Sequence, residues 1–377
     1  GQGGKCPGVA PRRPGFAGGI SRPGAVQIGN GLVMRRCREY FPSKRNTWEV
    51  IMSKLVTIFG GSGFIGRYVA RRMAKAGWRV RVAVRRPNEA IFVKPYGVVG
   101  QVEPMFCNIR DDASVRQALR GADAVVNCVG ILQESGRNRF DAVQAEGAGR
   151  VARLAAEAGI AQMVHISAMG ADLSSESAYS RSKAAGEAEV MAHMPGAVIM
   201  RPSIVFGAED QFFNRFASMA RLGPILPIVG AETQFQPVFV DDVARAVVLG
   251  ATGAAVGGIY ELAGPERDSF RGLMQRMLDV IQRRRLIIGL PMFVARLMAT
   301  GFSVANTLSF GLAPMPITRD QIHSLSVDNV PSGTCMGLAD LHIEPTALES
   351  VLPDYLWPFR VSGQYADIKA SAKNLKA

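Results

Sequence analysis

Three glycines at intervals of three, Gly60, Gly63 and Gly66, lie between an apolar run and a helical pattern. The run is Leu55–Phe59 and the pattern extends over residues 63–76. Gly60 fits a tight turn after the strand. Gly63 lets a bound group approach the backbone where a Cβ would intrude, and Gly66 lets the helix pack closely on the strand. The backbone N–H groups at the start of such a helix favour an anion. A strand, a glycine loop and a helix in this order predict a pyrophosphate site for a dinucleotide. Gly60, Ser62, Gly63, Phe64, Ile65 and Gly66 are its expected contacts.

From Leu55 onward, short β-branched runs alternate with helical stretches. The runs cover 55–59, 79–84, 101–107, 124–128, 163–166 and 197–200. The helical stretches between them include 63–76, 112–119, 141–158 and 179–191. Continuous apolar strands separated by helices predict an α/β fold: a doubly wound parallel Rossmann-type sheet, here of six strands. After Arg201 the alternation weakens. The expected organisation is a nucleotide-binding domain over 52–270, with insertions from about 201, and a smaller C-terminal subdomain over 271–377.

About 20 residues past the glycines, a site for NAD calls for an acid on the ribose 2′-hydroxyl. Here the second strand ends in Arg85-Arg86-Pro87. Guanidinium groups suit a 2′-phosphate, which points to NADP(H). Asn108 and Ile109, after the third strand, are expected at the adenine. Asn127, Val129 and Gly130, after the fourth, are expected along the ribose side.

Tyr179 and Lys183 stand four residues apart at the start of a helix, on one face. An ammonium beside a phenol favours the phenolate, which can exchange a proton with a carbonyl or hydroxyl while a nicotinamide moves a hydride. Together with the glycine loop, this pair resembles the extended and atypical short-chain dehydrogenase/reductase superfamily over residues 52–270. The resemblance implies a catalytic Tyr179, Lys183 and serine. Ser167 is the nearest match for the serine; extended members place theirs one or two residues later, where this chain has Ala168 and Met169. Lys183 and Pro202 complete the expected cofactor contacts.

Three further stretches narrow the resemblance: Tyr179-Ser-Arg-Ser-Lys-Ala-Ala-Gly-Glu187, the segment from Arg201-Pro-Ser-Ile-Val-Phe-Gly to Phe216, and Gln236-Pro-Val-Phe-Val-Asp-Asp-Val-Ala244. They resemble the NADPH-binding, short-chain-dehydrogenase-like accessory subunits of respiratory complex I, nearly to the C-terminus. That implies a tightly held structural NADPH at the junction of the peripheral and membrane arms, near the quinone region, without turnover. It implies the other complex I subunits as partners. It also implies a peripheral place on the mitochondrial inner membrane (matrix face) or the bacterial inner membrane (cytoplasmic face). The alternative is a free-standing NADPH-dependent reductase or nucleotide-sugar epimerase.

Charge separates the first 51 residues from the rest. They carry nine Lys/Arg against two acids and so contribute +7 of the net +13. Rich in Gly, Pro and Arg, they have no apolar periodicity with which to offset ordering entropy. Three readings stay open: an extension upstream of a start at Met52, an organellar transit segment, or a basic docking arm. No aromatic-rich basic patch suggests nucleic acid. The five cysteines are scattered and the four histidines lack ligand spacing, so neither a disulfide framework nor a metal site is expected. The stretch 286–318 is strongly apolar, but Arg296 and several prolines interrupt it as a membrane span. Preceded by Arg283-Arg284-Arg285, it reads as an amphipathic helix for a membrane surface, contacting it through 283–318, or as a core helix of the subdomain.

Overall fold

The computed structural model describes residues 53–291, 293–294, 325–361 and 363–365. All of them belong to one compact unit, Met52–Ala377. The first 51 residues lie outside the described residues, and so does most of the amphipathic helix expected over 286–318; its start, Leu286–Leu290, is instead a strand, paired in parallel with Ile225–Val229.

The core is a parallel sheet. Its first six strands are β1 (Leu55–Phe59), β2 (Arg79–Val84), β3 (Val102–Phe106), β4 (Ala124–Asn127), β5 (Gln162–Ile166) and β6 (Val198–Pro202). A seventh, Gly258–Leu262, pairs in parallel with β6 and was absent from the six-strand expectation. The order is 258–262, β6, β5, β4, β1, β2, β3. The chain thus reverses direction across the sheet between β1 and β4, and a crevice opens at their carboxyl ends.

All five residues of β1 are buried, including Thr57, whose hydroxyl donates to the Ala118 carbonyl at 2.8 Å. One face of the sheet is covered by α1 (Phe64–Lys75) and the helix Val240–Thr252, packing Val69, Met73, Val243 and Val247 on Val56 and Ile58. The other is covered by α2 (Asp112–Leu119) and α3 (Glu146–Glu157), packing Val115, Val151 and Leu154 on Phe59 and Val125. Asp111 caps α2 by accepting from Ser114 N at 3.1 Å. The helix expected from residue 141 begins with a π-wound turn, Asp141–Ala145, before α3.

A third core is aromatic. Phe206, Phe213, Phe235 and Phe270 are buried together with Leu273 and Met277, and with Leu348, Leu352 and Leu356 of the C-terminal helix Leu348–Leu356. It therefore draws on chain from both sides of residue 270. Residues 329–336 then return to the sheet. Glu261 N donates to Met336 O at 2.8 Å, and the buried Glu261 carboxylate accepts from Ser332 N and Oγ at 2.6 and 2.9 Å. This strap covers the outer edge of strand 258–262. Among the described residues, no helix is long and apolar enough to cross a membrane.

Candidate nucleotide-binding site

The glycine loop joins β1 to α1 and is shaped by close backbone contact. Gly60 has φ +72°, in the left-handed region. A Cβ on Gly66 would lie 2.4 Å from Gly60 O and 2.7 Å from Gly61 Cα, so only glycine fits there. Gly60 itself abuts the backbone of Cys128 and Val129. No side chain caps α1, and its first turn holds no acid. The leading N–H groups are therefore available to an anion, and no carboxylate competes for them. Phe64 reaches across to Gly207, while Arg67 donates to the carbonyls of Ser62 and Gly63 and pairs with Glu209 at 3.2 Å.

The remaining expected contacts fall along the carboxyl ends of the strands. Arg85 and Arg86 are exposed just past β2. Arg85 Nη1 donates to Asn138 Oδ1 at 3.1 Å, and Arg86 pairs with Glu89 at 3.0 Å. Asn108 turns its side-chain oxygen to the Arg110 N–H at 3.2 Å. Ile109 follows it, just past the end of β3. It is buried in the core between sheet and helices, against Gly147. Asn127 ends β4 and accepts from Val129 N at 3.1 Å. Pro202 ends β6, and its carbonyl accepts from Met169 N at 3.0 Å.

Tyr179 and Lys183 do share one face of α4 (Ala178–His193), which Ser177 caps by accepting from Ser180 N at 3.2 Å. The Lys183 ammonium lies 6.0 Å from the Tyr179 ring centre, and Phe140 meets that ring edge-on. Lys183 Nζ donates to Ile166 O at 3.0 Å and sits beside Gly130. Burial lowers its pKa to about 8, against the opposing charge of Glu187. Ser167 Oγ is enclosed and has no hydrogen-bond partner. Tyr179 and Lys183 thus lie near one another on one helix face, and the Ser167 hydroxyl is buried.

The family of this arrangement follows from comparison with known proteins. The model of the NAD-dependent epimerase/dehydratase family matches residues 56–263. The chain belongs to that family. Among its curated relatives is the mitochondrial "NADH dehydrogenase [ubiquinone] 1 alpha subcomplex subunit 9" of Arabidopsis thaliana, 34% identical over 82% of this chain and 79% of that protein. Another is the ceramide reductase of Caulobacter vibrioides, 30% identical over 75% of this chain and 87% of that protein. Of solved structures, the Thermus thermophilus UDP-glucose 4-epimerase in complex with NAD covers 82% of this chain and 99% of its own, with a TM-score of 0.60 and 18% identity. That likeness speaks for the fold alone.

Within this epimerase/dehydratase frame, two buried pairs went unread in the sequence. Asn127 Oδ1 takes the Val129 N–H, so its Nδ2 donates to His165 Nδ1 at 3.2 Å and leaves the ring proton on Nε2. Burial, with the Lys183 charge, holds His165 neutral, down at about 3. One turn beyond Lys183, Glu187 binds Arg201 in a bidentate pair at 2.8 and 2.5 Å. Tyr179, Lys183 and Glu187 recur at intervals of four; that spacing was the one local signal for Glu187.

Proposed function

We propose that this chain is an accessory subunit of respiratory complex I (NADH:ubiquinone oxidoreductase) holding NADPH as a resident nucleotide that supports the subunit's fold and assembly. The likeness to the alpha subcomplex subunit 9 protein across four fifths of the chain carries the assignment. The nucleotide rests on the uncapped α1 start and its glycine cradle. Arg85 and Arg86, in place of an acid after β2, favour the 2′-phosphate. Ser62, Phe64 and Ile65 line the pyrophosphate, Asn127, Val129 and Gly130 the ribose, and Lys183 and Pro202 the nicotinamide side. NADPH elsewhere supplies a hydride; the enclosed Ser167 hydroxyl favours retention over turnover here.

The place in the complex follows the same reading. It is the junction of the two arms near the quinone site, peripheral on the matrix face of the mitochondrial inner membrane or the cytoplasmic face of a bacterial one. A patch of suitable chemistry supports contact with that membrane. The short strands Ile225–Val229 and Leu286–Leu290 pair in parallel and leave Leu222, Ile225, Leu286 and Phe293 exposed. Arg283, Arg284 and Arg285 adjoin them in sequence, and the like charges of Arg221 and Arg285, after burial, lower Arg283. Apolar side chains rimmed by arginine suit an anionic interface.

A second reading is an NADPH-dependent reductase. The paired Tyr179 and Lys183 and the ceramide reductase relative support it. Native-gel electrophoresis of solubilised membranes with mass spectrometry separates the two. Comigration with complex I is the expected result. A free chain that oxidises NADPH with a carbonyl substrate, and loses this on Tyr179→Phe, overturns the subunit reading.

A further inference from the structure

The loop from Ile131 to Phe140 leaves its own strand and reaches two others. In the sheet β1 lies between β4 and β2, and β3 lies beyond β2. A segment that starts at β4 and is tied to the ends of both β2 and β3 spans the mouth of the crevice. Two hydrogen bonds make these ties. Arg85, past β2, donates to Asn138 Oδ1 at 3.1 Å, and Arg110, past β3, donates to the Arg137 carbonyl at 2.7 Å.

The tip between the ties has a defined shape. Ser135 and Asn138 exchange backbone hydrogen bonds at 3.1 and 2.9 Å, which makes a two-residue hairpin. Gly136 takes the first central position with φ +54°, where a II′ turn calls for glycine. Glu134 closes the base by accepting from Phe140 N at 2.8 Å. The hairpin is thus built as a unit, but its hold on β2 and β3 is two arginine side chains.

Those arginines stand in a crowd of like charge. Arg85, Arg86, Arg110, Arg137 and Arg139 gather within three short segments around this corner. Arg86 pairs with Glu89, whereas among the described residues no ion pair is formed by the other four. Such a cluster opposes its own assembly until an anion enters it.

We propose that hairpin 134–139 is a clasp over the adenosine half of the nucleotide, and that Arg110 and Asn138 make its closure depend on the 2′-phosphate. The inference rests on the nucleotide reading above. A phosphate dianion beside Arg85 neutralises the corner and fixes the guanidinium that also holds Asn138. A ribose hydroxyl brings no charge, so the clasp stays loose over NADH. NADPH then leaves slowly because the hairpin must open first.

Stopped-flow displacement from the full chain reads this directly. Asn138→Ala and Arg110→Gln each remove one tie, and each should speed NADPH release by about five- to tenfold, as for one lost hydrogen bond. NADH release should stay almost unchanged. Unaltered NADPH release in both variants, or equal acceleration for NADH, overturns the clasp while leaving nucleotide binding intact. A wild-type chain that binds neither nucleotide overturns the nucleotide reading, and the clasp with it. Limited trypsin digestion of the wild type is an independent arm. Cleavage after the exposed Arg137 and Arg139 should slow with NADPH and not with NADH at equal occupancy; identical cleavage with both overturns the dependence on the 2′-phosphate.

Discussion

Lys183 is only 4% exposed, yet the hydrogen bond found for its ammonium is to one backbone carbonyl, that of Ile166. Desolvation lowers its pKa from 10.5 to about 8, despite Glu187 nearby. Between those two values the unfolded chain binds a proton that the folded chain does not. Stability therefore rises with pH across this window, and the burial penalty acts in full below pH 8. Denaturant unfolding of the wild type and Lys183→Met should show the difference moving in favour of the wild type from pH 8 to 10.5. A difference that stays flat across that range contradicts the burial of a charged amine. Ser167 marks the limit of reading residues singly. Its position after β5 was clear from sequence, but its burial appears only once the strands are assembled, with its N–H on the Met200 carbonyl of β6.

At the scale of elements, the helix Leu348–Leu356 is docked through an apolar face, with an exposed Glu349–Arg276 ion pair at 3.5 Å and one part-buried polar contact. The Tyr355 hydroxyl donates to Asp210 Oδ2 at 2.6 Å, and Asp210 also accepts from the N–H groups of Gly207, Phe212 and Asn214. Burial raises the Asp210 carboxyl, so a lost donor is felt strongly there. Tyr355→Phe should cost about 1–3 kcal/mol. Hydrogen exchange should quicken over 348–356 and hardly change in β1–β5; uniform protection would refute this docking role.

Elements that carry their own signal were legible in the sequence. β1 and β2 match to the residue because apolar runs end at glycine or arginine. The glycine loop and the Tyr179–Lys183 face are local patterns, and they fold as read. Strand 258–262 was not legible. Glu261 interrupts its apolar run, and that carboxylate is buried only because Ser332, 71 residues on, donates to it. The same holds for Asn127 with His165, neighbours through strand register rather than sequence.

For the whole molecule, a resident nucleotide is a stabiliser. A ligand at 100 times its Kd adds about 2.7 kcal/mol to the folded state. NADPH should therefore raise the melting temperature of the chain, and by more than NADH at the same concentration. Thermal shift measured with both nucleotides tests this; equal shifts would remove the role given to Arg85 and Arg86.

The strap over strand 258–262 also has a consequence in time. Chains are made from the N-terminus at about 5–20 residues per second, so the 71 residues from Glu261 to Ser332 take about 4–14 s. Throughout that interval the strand's outer edge keeps unpaired N–H and C=O groups, which invite a strand from another molecule. The ribosome thus holds a nearly finished sheet with one side open. A message truncated just before Ser332 would leave that side open for good.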